Sequence, residues 1–288
     1  MILLKNAKTS SPTGSRRIPA AVFVFKSNRR FQVLGILAVL SSILLVGCSE
    51  SGSETKKETI GIIGAMDDEV ASLKKAADIQ KTTKIAEMEF CEGTLGRRNV
   101  VIVKCGMGKV NAGICANTLI NDFDCTKIIN TGVAGSLDSK IDIGDIVVST
   151  EAVQHDFDVE AIGFQKGEIP YTGQVAFPAD EALRSAAVEA VQKSAPDIHV
   201  FEGRVCSGDK FISTKEQKDT IIKNFGGMCC EMEGAAIAQT CYLNSTPFVI
   251  IRAISDKPDG GGSVDFNEFQ AEAAARCAAI VQYIVERL

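Results

Sequence analysis

The heptapeptide Cys-Glu-Met-Glu-Gly-Ala-Ala at residues 230–236 places two carboxylates between a small apolar run and the beginning of a predicted helix. The run covers residues 226–230, and the helical segment begins with the alanine-rich residues 234–238. Glu231 and Glu233 are therefore predicted to lie at a strand-to-helix junction. In an open α/β sheet, ligands bind beyond the carboxyl ends of the strands. On this stretch alone two interpretations stay open: a ligand-binding pair, or a solvated helix N-terminus where the dipole favours acids.

Apolar runs of this kind alternate with helical segments along the chain. Predicted strands occupy residues 59–66, 86–94, 99–105, 127–131, 144–150, 200–205 and 247–254. Predicted helices occupy residues 67–77, 109–123, 179–194, 214–224 and 265–288. The alternation predicts an α/β fold with a mostly parallel sheet. Residues 132–136, Gly-Val-Ala-Gly-Ser, are predicted to form a small-residue loop, and residues 154–175 a functional loop or a contact with a second subunit.

Composition limits the class of protein. The chain has 288 residues, a net charge of −5 and 45% hydrophobic residues, which suits one large α/β domain or two small ones. The acidic balance argues against nucleic acid as the main partner. Two histidines are too few for a His-rich metal site. The ten cysteines show no CxxC pairs at zinc spacing, so we expect buried free thiols rather than a disulfide framework.

The N-terminal segment has the features of a secretory signal. Residues 1–30 are polar and basic, and residues 31–47 form an uncharged apolar run that ends in Leu-Val-Gly-Cys. This ending resembles the lipobox of bacterial lipoproteins, which implies that Cys48 is lipidated and anchors an exported protein to the cell membrane. An uncleaved anchor helix, or a cytoplasmic protein whose true start lies downstream of Met1, are the alternatives. The predicted organisation is a signal peptide at 1–48, a flexible tether at 49–58 and a folded domain at 59–288.

Four predicted strand ends carry acids or small residues, at 66–69, 132–135, 231–233 and 252–256. A parallel sheet would bring them together in one crevice. Glu69, Glu233 and Asp256 would then be close, and like charges in proximity raise the pKa of at least one carboxyl, which makes a candidate general acid. Such a set suits cleavage of a glycosidic bond. A Mg²⁺ site is the alternative.

Several motifs stand together in a recognisable order. They are Ile-Gly-Ile-Ile-Gly-Ala-Met-Asp-Asp-Glu-Val at 60–70, Ile-Asn-Thr-Gly at 129–132, Gly-Asp-Ile-Val at 144–147, Ser-Gly-Asp at 207–209, Glu-Met-Glu at 231–233 and Arg-Ala-Ile-Ser-Asp at 252–256. Over residues 59–288 the chain resembles the 5′-methylthioadenosine/S-adenosylhomocysteine nucleosidases. The resemblance implies a three-layer, nucleoside phosphorylase-like α/β fold, a homodimer, and no cofactor or metal. It also implies hydrolysis of adenine thionucleosides with release of adenine, in methionine salvage and removal of methyl-cycle by-products.

The resemblance also implies roles for individual residues. Asp256 would protonate N7 of the adenine, Glu69 would hold the attacking water, and Glu233 would bind the ribose hydroxyls and stabilise the ribosyl cation. Arg252 would help to order the site. The other implied contacts are Glu231 and Met232 around the ribose, Phe211 and Ile212 beside the adenine, Met66 and Phe266 along the ribose and alkylthio arm, and Val159, Ile162 and Pro170, which would close the partner subunit's alkylthio pocket.

Two features depart from the family. Val133 stands where many members have serine, so a hydroxyl that could help to hold the water is lost. The lipoprotein-like leader is unusual, because the substrates are made in the cytoplasm. Two other functions stay open. One is a phosphate-dependent phosphorylase of the same fold, although Met-Asp-Asp-Glu at 66–69 would repel phosphate. The other is a non-catalytic surface lipoprotein.

Overall fold

The computed structural model describes residues 58–257 and 262–288. The predicted signal peptide and Cys48 lie outside these residues. The helices are α1 (Asp67–Ala76), α2 (Lys109–Asn121), α3 (Glu181–Ser194), α4 (Lys215–Phe225), α5 (Gly234–Leu243) and α6 (Gly262–Val285). The strands are β1 (Thr59–Gly64), β2 (Asp78–Ile85), β3 (Met88–Leu95), β4 (Arg98–Lys104), β5 (Lys127–Ser136), β6 (Ile146–Gln154), β7 (Ala176–Pro178), β8 (Val200–Ser207), β9 (Cys229–Glu231) and β10 (Phe248–Asp256). In the described part of the chain, no helix combines the length and apolarity needed to cross a bilayer.

The strands form one mixed sheet in the order β10-β6-β8-β9-β5-β1-β4-β3-β2. Strand β10 also pairs with β5, so the five strands β10, β6, β8, β9 and β5 close into a ring. The pairs β1–β4, β1–β5, β5–β10, β6–β8 and β8–β9 are parallel. The strands predicted at residues 86–94 and 99–105 are confirmed as the antiparallel pair β3–β4.

Helices cover both faces of the sheet, which confirms the three-layer α/β prediction. On one face, the apolar sides of α2 and α5 pack against the sheet with residues such as Leu119 and Ile237. On the other face, α1, α3 and α6 bury residues such as Leu73, Leu183 and Val281. The apolar faces of both layers are almost completely removed from water, and this burial is the dominant favourable contribution to folding.

Helix α4 has a capping residue at each end, Thr214 before its first turn and Gly226 after its last. The hydroxyl of Thr214 accepts a hydrogen bond from the Gln217 backbone N–H at 3.3 Å, and the Gln217 side chain accepts from the Thr214 N–H at 3.2 Å. This reciprocal arrangement satisfies two of the free donors at a helix start. Gly226 ends the helix with φ of 63°, a left-handed conformation that glycine adopts without a steric penalty. The helix predicted at residues 214–224 is thus confirmed, with Thr214 as its N-terminal capping residue.

The prediction of a loop at residues 132–136 is wrong. These residues continue β5, because Gly132 to Gly135 pair with β10, and Gly135 and Ser136 pair with β9. The neighbouring strands β10 and β9 pair with the backbone of this segment. The small side chains of residues 132–136 therefore allow close packing and do not mark a turn. The sequence analysis did not predict β2, a polar strand that pairs with β3 among the described strands and whose side chains are mostly exposed.

The described cysteines are all free and buried, which confirms their interpretation as small apolar residues. Burial raises the pKa of Cys125 and Cys206 to about 12. Thiols with such pKa values stay protonated at neutral pH and are poor nucleophiles.

Candidate active site

The four predicted strand ends meet in one cavity that is open to solvent. All eleven residues predicted to be catalytic or to bind substrate line it. They are Met66, Glu69, Val133, Phe211, Ile212, Glu231, Met232, Glu233, Arg252, Asp256 and Phe266. The same cavity is lined by Met107, Lys210, Cys230 and Ser255, which sequence reasoning did not identify as site residues.

Glu69 is held by backbone donors from two elements. Its Oε2 accepts from the N–H groups of Ala65 at 2.6 Å and Met66 at 2.9 Å, at the start of α1. Its Oε1 accepts from the N–H of Val133 in β5 at 3.0 Å. Burial raises the pKa of Glu69, although nearby Arg252 and these donors lower it. The carboxyl is therefore fixed in place and poised to take up a proton.

Arg252, in the middle of β10, connects the acids. Its Nη2 donates to Asn130 Oδ1 at 2.6 Å and to Glu231 Oε2. Its guanidinium also lies 4.0 Å from Glu69 and 3.8 Å from Glu233. Because the side chain is fully buried among carboxylates, it offsets part of their mutual repulsion.

Glu231 faces the protein more than the cavity. Its oxygens accept from Arg252, from the Ser207 hydroxyl, and from the N–H groups of Glu233 and Gly234. The same Ser207 hydroxyl accepts from the N–H of Ala235 at 2.7 Å. Glu231 thus anchors the first turn of α5, while its predicted contact with a ribose stays a prediction.

Glu233 lies between β9 and α5, and one of its carboxylate oxygens is hydrogen-bonded to a loop that is distant in sequence. Its Oε1 accepts from the backbone N–H of Gly108 at 2.9 Å. Burial, and then the charge of Glu231, raise its pKa to about 7. Gly108 has φ of 94°, a conformation that favours glycine.

Asp256 ends β10, after a register shift between Ile254 and Asp256 that redirects the strand end. Its Oδ2 accepts from Lys218 Nζ at 2.6 Å, and its Oδ1 accepts from the Ser255 hydroxyl at 3.2 Å. Burial raises the pKa of Asp256, while Lys218 and Ser255 lower it. The balance leaves a carboxyl that can hold a proton more readily than an exposed aspartate.

Glycines in β5 make room for these side chains. A Cβ at Gly132 would fall on Arg252 and the Glu69 carboxyl, and a Cβ at Gly135 would lie 2.7 Å from Asp256 Oδ2. The small size of these residues therefore makes room for the side chains of Glu69, Arg252 and Asp256.

Apolar side chains form the remainder of the wall. The rings of Phe211 and Phe266 meet edge to face with centroids 5.4 Å apart. The loop residues Val159, Ile162 and Pro170 do not line the cavity of their own chain, and Ile162 is 71% exposed. Their predicted contact with a partner subunit's site stays a prediction.

Four polar residues near the acids received no role in the sequence analysis: Asn130, Ser207 and Ser255, which lie in the quoted motifs, and Lys218, which lies in none of them. Lys218 had a recognisable signal, since it shares the apolar face of α4 with Ile221 and Phe225 at spacings of three and seven residues. A lysine on such a face must find a buried partner.

Within the described residues, no group of three or more His, Cys, Asp or Glu side chains is arranged to hold a metal ion.

The chain is similar to known proteins along the whole predicted domain. The profile of the family described as "Phosphorylase superfamily" matches residues 59–286. The 5′-methylthioadenosine/S-adenosylhomocysteine nucleosidase of Staphylococcus carnosus (strain TM300) is 41% identical over 230 residues, which cover 80% of this chain and 100% of that protein.

Two solved structures have the same fold. The nucleosidase of the same name from Neisseria meningitidis, in complex with methylthio-immucillin-A, has a TM-score of 0.77 at 38% identity and covers 80% of this chain and 100% of that one. The futalosine hydrolase of Helicobacter pylori strain 26695 has a TM-score of 0.76 at 29% identity and covers 80% of this chain and 98% of that one.

The three-layer fold with buried acids at converging strand ends defines a member of the phosphorylase superfamily. Within that superfamily, the chain belongs to the 5′-methylthioadenosine/S-adenosylhomocysteine nucleosidases, which are N-glycosyl hydrolases.

Proposed function

We propose that this chain hydrolyses the N-glycosidic bond of 5′-methylthioadenosine and S-adenosylhomocysteine, with release of adenine and the thioribose product. The proposal rests on the convergence of Glu69, Glu233 and Asp256 in the lining of one cavity, where Arg252 lies within 4.0 Å of Glu69 and 3.8 Å of Glu233. In the cell the reaction serves methionine salvage and the removal of methyl-cycle by-products.

Departure of the base is the demanding step, because an adenine anion is a poor leaving group. Asp256, with its raised pKa, donates a proton to N7 of the adenine. The C1′–N9 bond then breaks with its electron pair moving into the purine, and a neutral base leaves. The ribosyl group is left with oxocarbenium character.

The other two acids act on the sugar and the water. Glu233 binds the ribose hydroxyls, and its carboxylate stabilises the developing positive charge. Glu69, fixed by three backbone donors, orients the water and takes its proton as the oxygen attacks C1′. Arg252 lies close to both Glu69 and Glu233, and its positive charge offsets part of the repulsion between them.

The charge of the cavity favours water over phosphate as the nucleophile. Its lining carries four carboxylates, and its cationic residues are Lys210 and Arg252. The guanidinium of Arg252 is already engaged by Asn130 and Glu231. A phosphate ion needs several free donors, which a phosphorylase supplies and this cavity does not offer.

A direct assay tests the proposed reaction. Adenine release is followed by HPLC from 5′-methylthioadenosine, S-adenosylhomocysteine and 5′-deoxyadenosine, with and without phosphate. We expect release from the first two without phosphate. Release that requires phosphate would instead identify a phosphorylase, and no release from any substrate would support a non-catalytic surface lipoprotein. Futalosine belongs in the same panel because of the similarity to the Helicobacter pylori enzyme.

We further propose that the active unit is a homodimer. Val110 and Ile114 on α2, together with Met107 in the turn before it, are exposed apolar residues, with Val110 72% exposed, and Met107 also lines the cavity. A second copy that covers these residues and supplies Val159, Ile162 and Pro170 would close the alkylthio pocket. Sedimentation analysis of wild type and Val110→Glu tests this: a monomeric wild type with full activity would exclude it.

We also propose that the protein is an exported lipoprotein anchored through Cys48, since the apolar run and Leu-Val-Gly-Cys ending fit that class. Incorporation of labelled palmitate, lost in Cys48→Ala, would support the anchor. Unchanged membrane partitioning of that variant would contradict it and favour a cytoplasmic enzyme.

A further inference from the structure

A lysine is buried directly behind the proposed general acid. Lys218 is 0% exposed, and its Nζ lies 2.6 Å from Oδ2 of Asp256, whose own side chain is 4% exposed. The same ammonium group donates to the backbone carbonyl of Lys257. The contact joins the second turn of α4 to the end of β10, which are 38 residues apart in sequence.

Burial of this lysine is not explained by stability. Removing an ammonium group from water costs far more than burying an apolar side chain of the same size, and buried ion pairs are often replaced by apolar residues without loss of stability. Its neighbours Ile221 and Phe225 pack in an apolar cluster, where methionine or leucine would fit the pattern of the helix. The position therefore calls for a functional reason.

The contact gives the two oxygens of Asp256 different roles. Oδ2 is engaged by the ammonium group, whereas the hydrogen bond of Oδ1 within the described residues is with the hydroxyl of Ser255, which can either donate or accept. A proton on the carboxyl is disfavoured at the oxygen that faces a cation. Oδ1 is thus the oxygen left to carry it.

We propose that Lys218 is a positioning residue for Asp256: it holds Oδ2, directs the acidic proton to Oδ1, and stabilises the carboxylate that forms when the proton passes to the base. The inference rests on the proposed hydrolysis. The proton leaves Asp256 Oδ1 for N7, the C1′–N9 electron pair moves into the purine, and the new carboxylate charge develops beside the ammonium group.

Tuning of the acid follows from the same contact. Burial raises the pKa of Asp256, and Lys218 opposes that rise. An acid whose pKa is raised too far keeps its proton, so a nearby cation maintains the ability to donate. Among the described residues, the other titratable groups near Asp256 include Cys230 on β9 and Asp265 on α6, with Lys257 next in the chain. Lys218 is the charged group whose Nζ lies 2.6 Å from the carboxyl.

The experiment compares Lys218→Met, Lys218→Arg and wild type, as purified full chains in detergent, over about pH 5 to 10. Lys215→Met is the matched control, because Lys215 lies about one turn earlier on α4, is exposed, and forms an ion pair with the exposed Asp219. For 5′-methylthioadenosine, we expect Lys218→Met to lower kcat by roughly tenfold or more with KM changed by less than about threefold. Lys218→Arg should restore part of kcat.

The pH profile separates positioning from a structural role. A cation in contact lowers the pKa of an aspartate by about 1–3 units. Since turnover needs the protonated carboxyl of Asp256, removal of the cation should shift the alkaline fall of kcat to higher pH, by about one pH unit or more. Lys218→Arg should keep the wild-type limb. A partly unfolded sample lowers the amplitude but leaves the limb in place. A limb unmoved in Lys218→Met would overturn the proposal.

A variant too slow to assay is still informative. Calorimetric titration with adenine over the same pH range reports the protonation of the carboxyl that faces N7. The break in affinity should move upward in Lys218→Met, and an unmoved break would overturn the proposal. Wild type that releases no adenine would contradict the proposed function itself, whereas active wild type with an unmoved limb in the variant would contradict only the role of Lys218.

Discussion

The carboxylate of Glu233 accepts a hydrogen bond at 2.9 Å from the backbone N–H of Gly108, which lies 125 residues earlier in the chain. The contact brings the turn before α2 against the junction between β9 and α5. It fixes one oxygen of an acid whose pKa burial and Glu231 raise to about 7. The proposed ribose-binding group is therefore held by the fold before any substrate arrives.

Glu233→Gln should change how stability depends on pH. The pKa of Glu233 is higher in the folded chain than its ordinary 4.5, so the native state binds more protons than the unfolded state between pH 4.5 and about 7. In wild type, this group makes the free energy of unfolding fall as pH rises through that window, by roughly 3 kcal/mol at most. The variant lacks this contribution, so its Tm relative to wild type should rise from pH 4.5 to 7. Glu216→Gln, an exposed acid on α4, is the control, and parallel Tm curves for Glu233→Gln and wild type would contradict the expectation.

Glu69→Gln should abolish hydrolysis, with a loss of roughly 10²-fold or more in kcat, because an amide cannot take the proton of the water. The amide NH₂ would also face backbone donors at Ala65, Met66 or Val133, which leaves at least one N–H unpaired and costs about 1–3 kcal/mol. Steady-state kinetics and thermal unfolding measure the two effects. Wild-type turnover would exclude the water-holding role.

Asp256→Asn should lower kcat by roughly 10²- to 10⁴-fold while the fold is retained, since the amide keeps the shape of the carboxyl but cannot donate an acidic proton to N7. Its oxygen can still accept from Lys218, so the buried ammonium keeps a partner. Adenine release and circular dichroism are measured together. Asp219→Asn, on the exposed face of α4, should behave as wild type; near-normal turnover in Asp256→Asn would remove Asp256 from the acid role.

Val133→Ser should raise kcat by up to about tenfold, because a hydroxyl beside Glu69 adds a hydrogen-bonding group for the water. The buried methyl groups are lost at the same time, so stability should fall by about 1 kcal/mol. Val133→Ala separates the two changes, since it removes the methyl groups without adding a hydroxyl. Equal rates in the serine and alanine variants would show that the hydroxyl has no part in holding water.

The sequence predicted the α/β class and the acids of the site because both have local signals. Apolar runs such as residues 59–66 mark buried strands, and acids at strand ends such as Glu69 and Asp256 mark the carboxyl edge of the sheet. A polar edge strand such as Asp78–Ile85 buries too little to leave a pattern, and for that reason it was missed. The prediction of a loop at residues 132–136 is wrong for a related reason: small residues occur both in turns and in closely packed strands, so they do not distinguish the two.

By itself, then, the sequence determined the fold class, the order of the motifs and the identity of the three acids. Each of these can be predicted from short patterns of consecutive residues. Only the tertiary structure decided how those acids are held: Glu69 by the backbone of β5, Glu233 by Gly108, and Asp256 by Lys218. These contacts join residues far apart in the chain. They depend on strand register and helix placement, which no local pattern encodes.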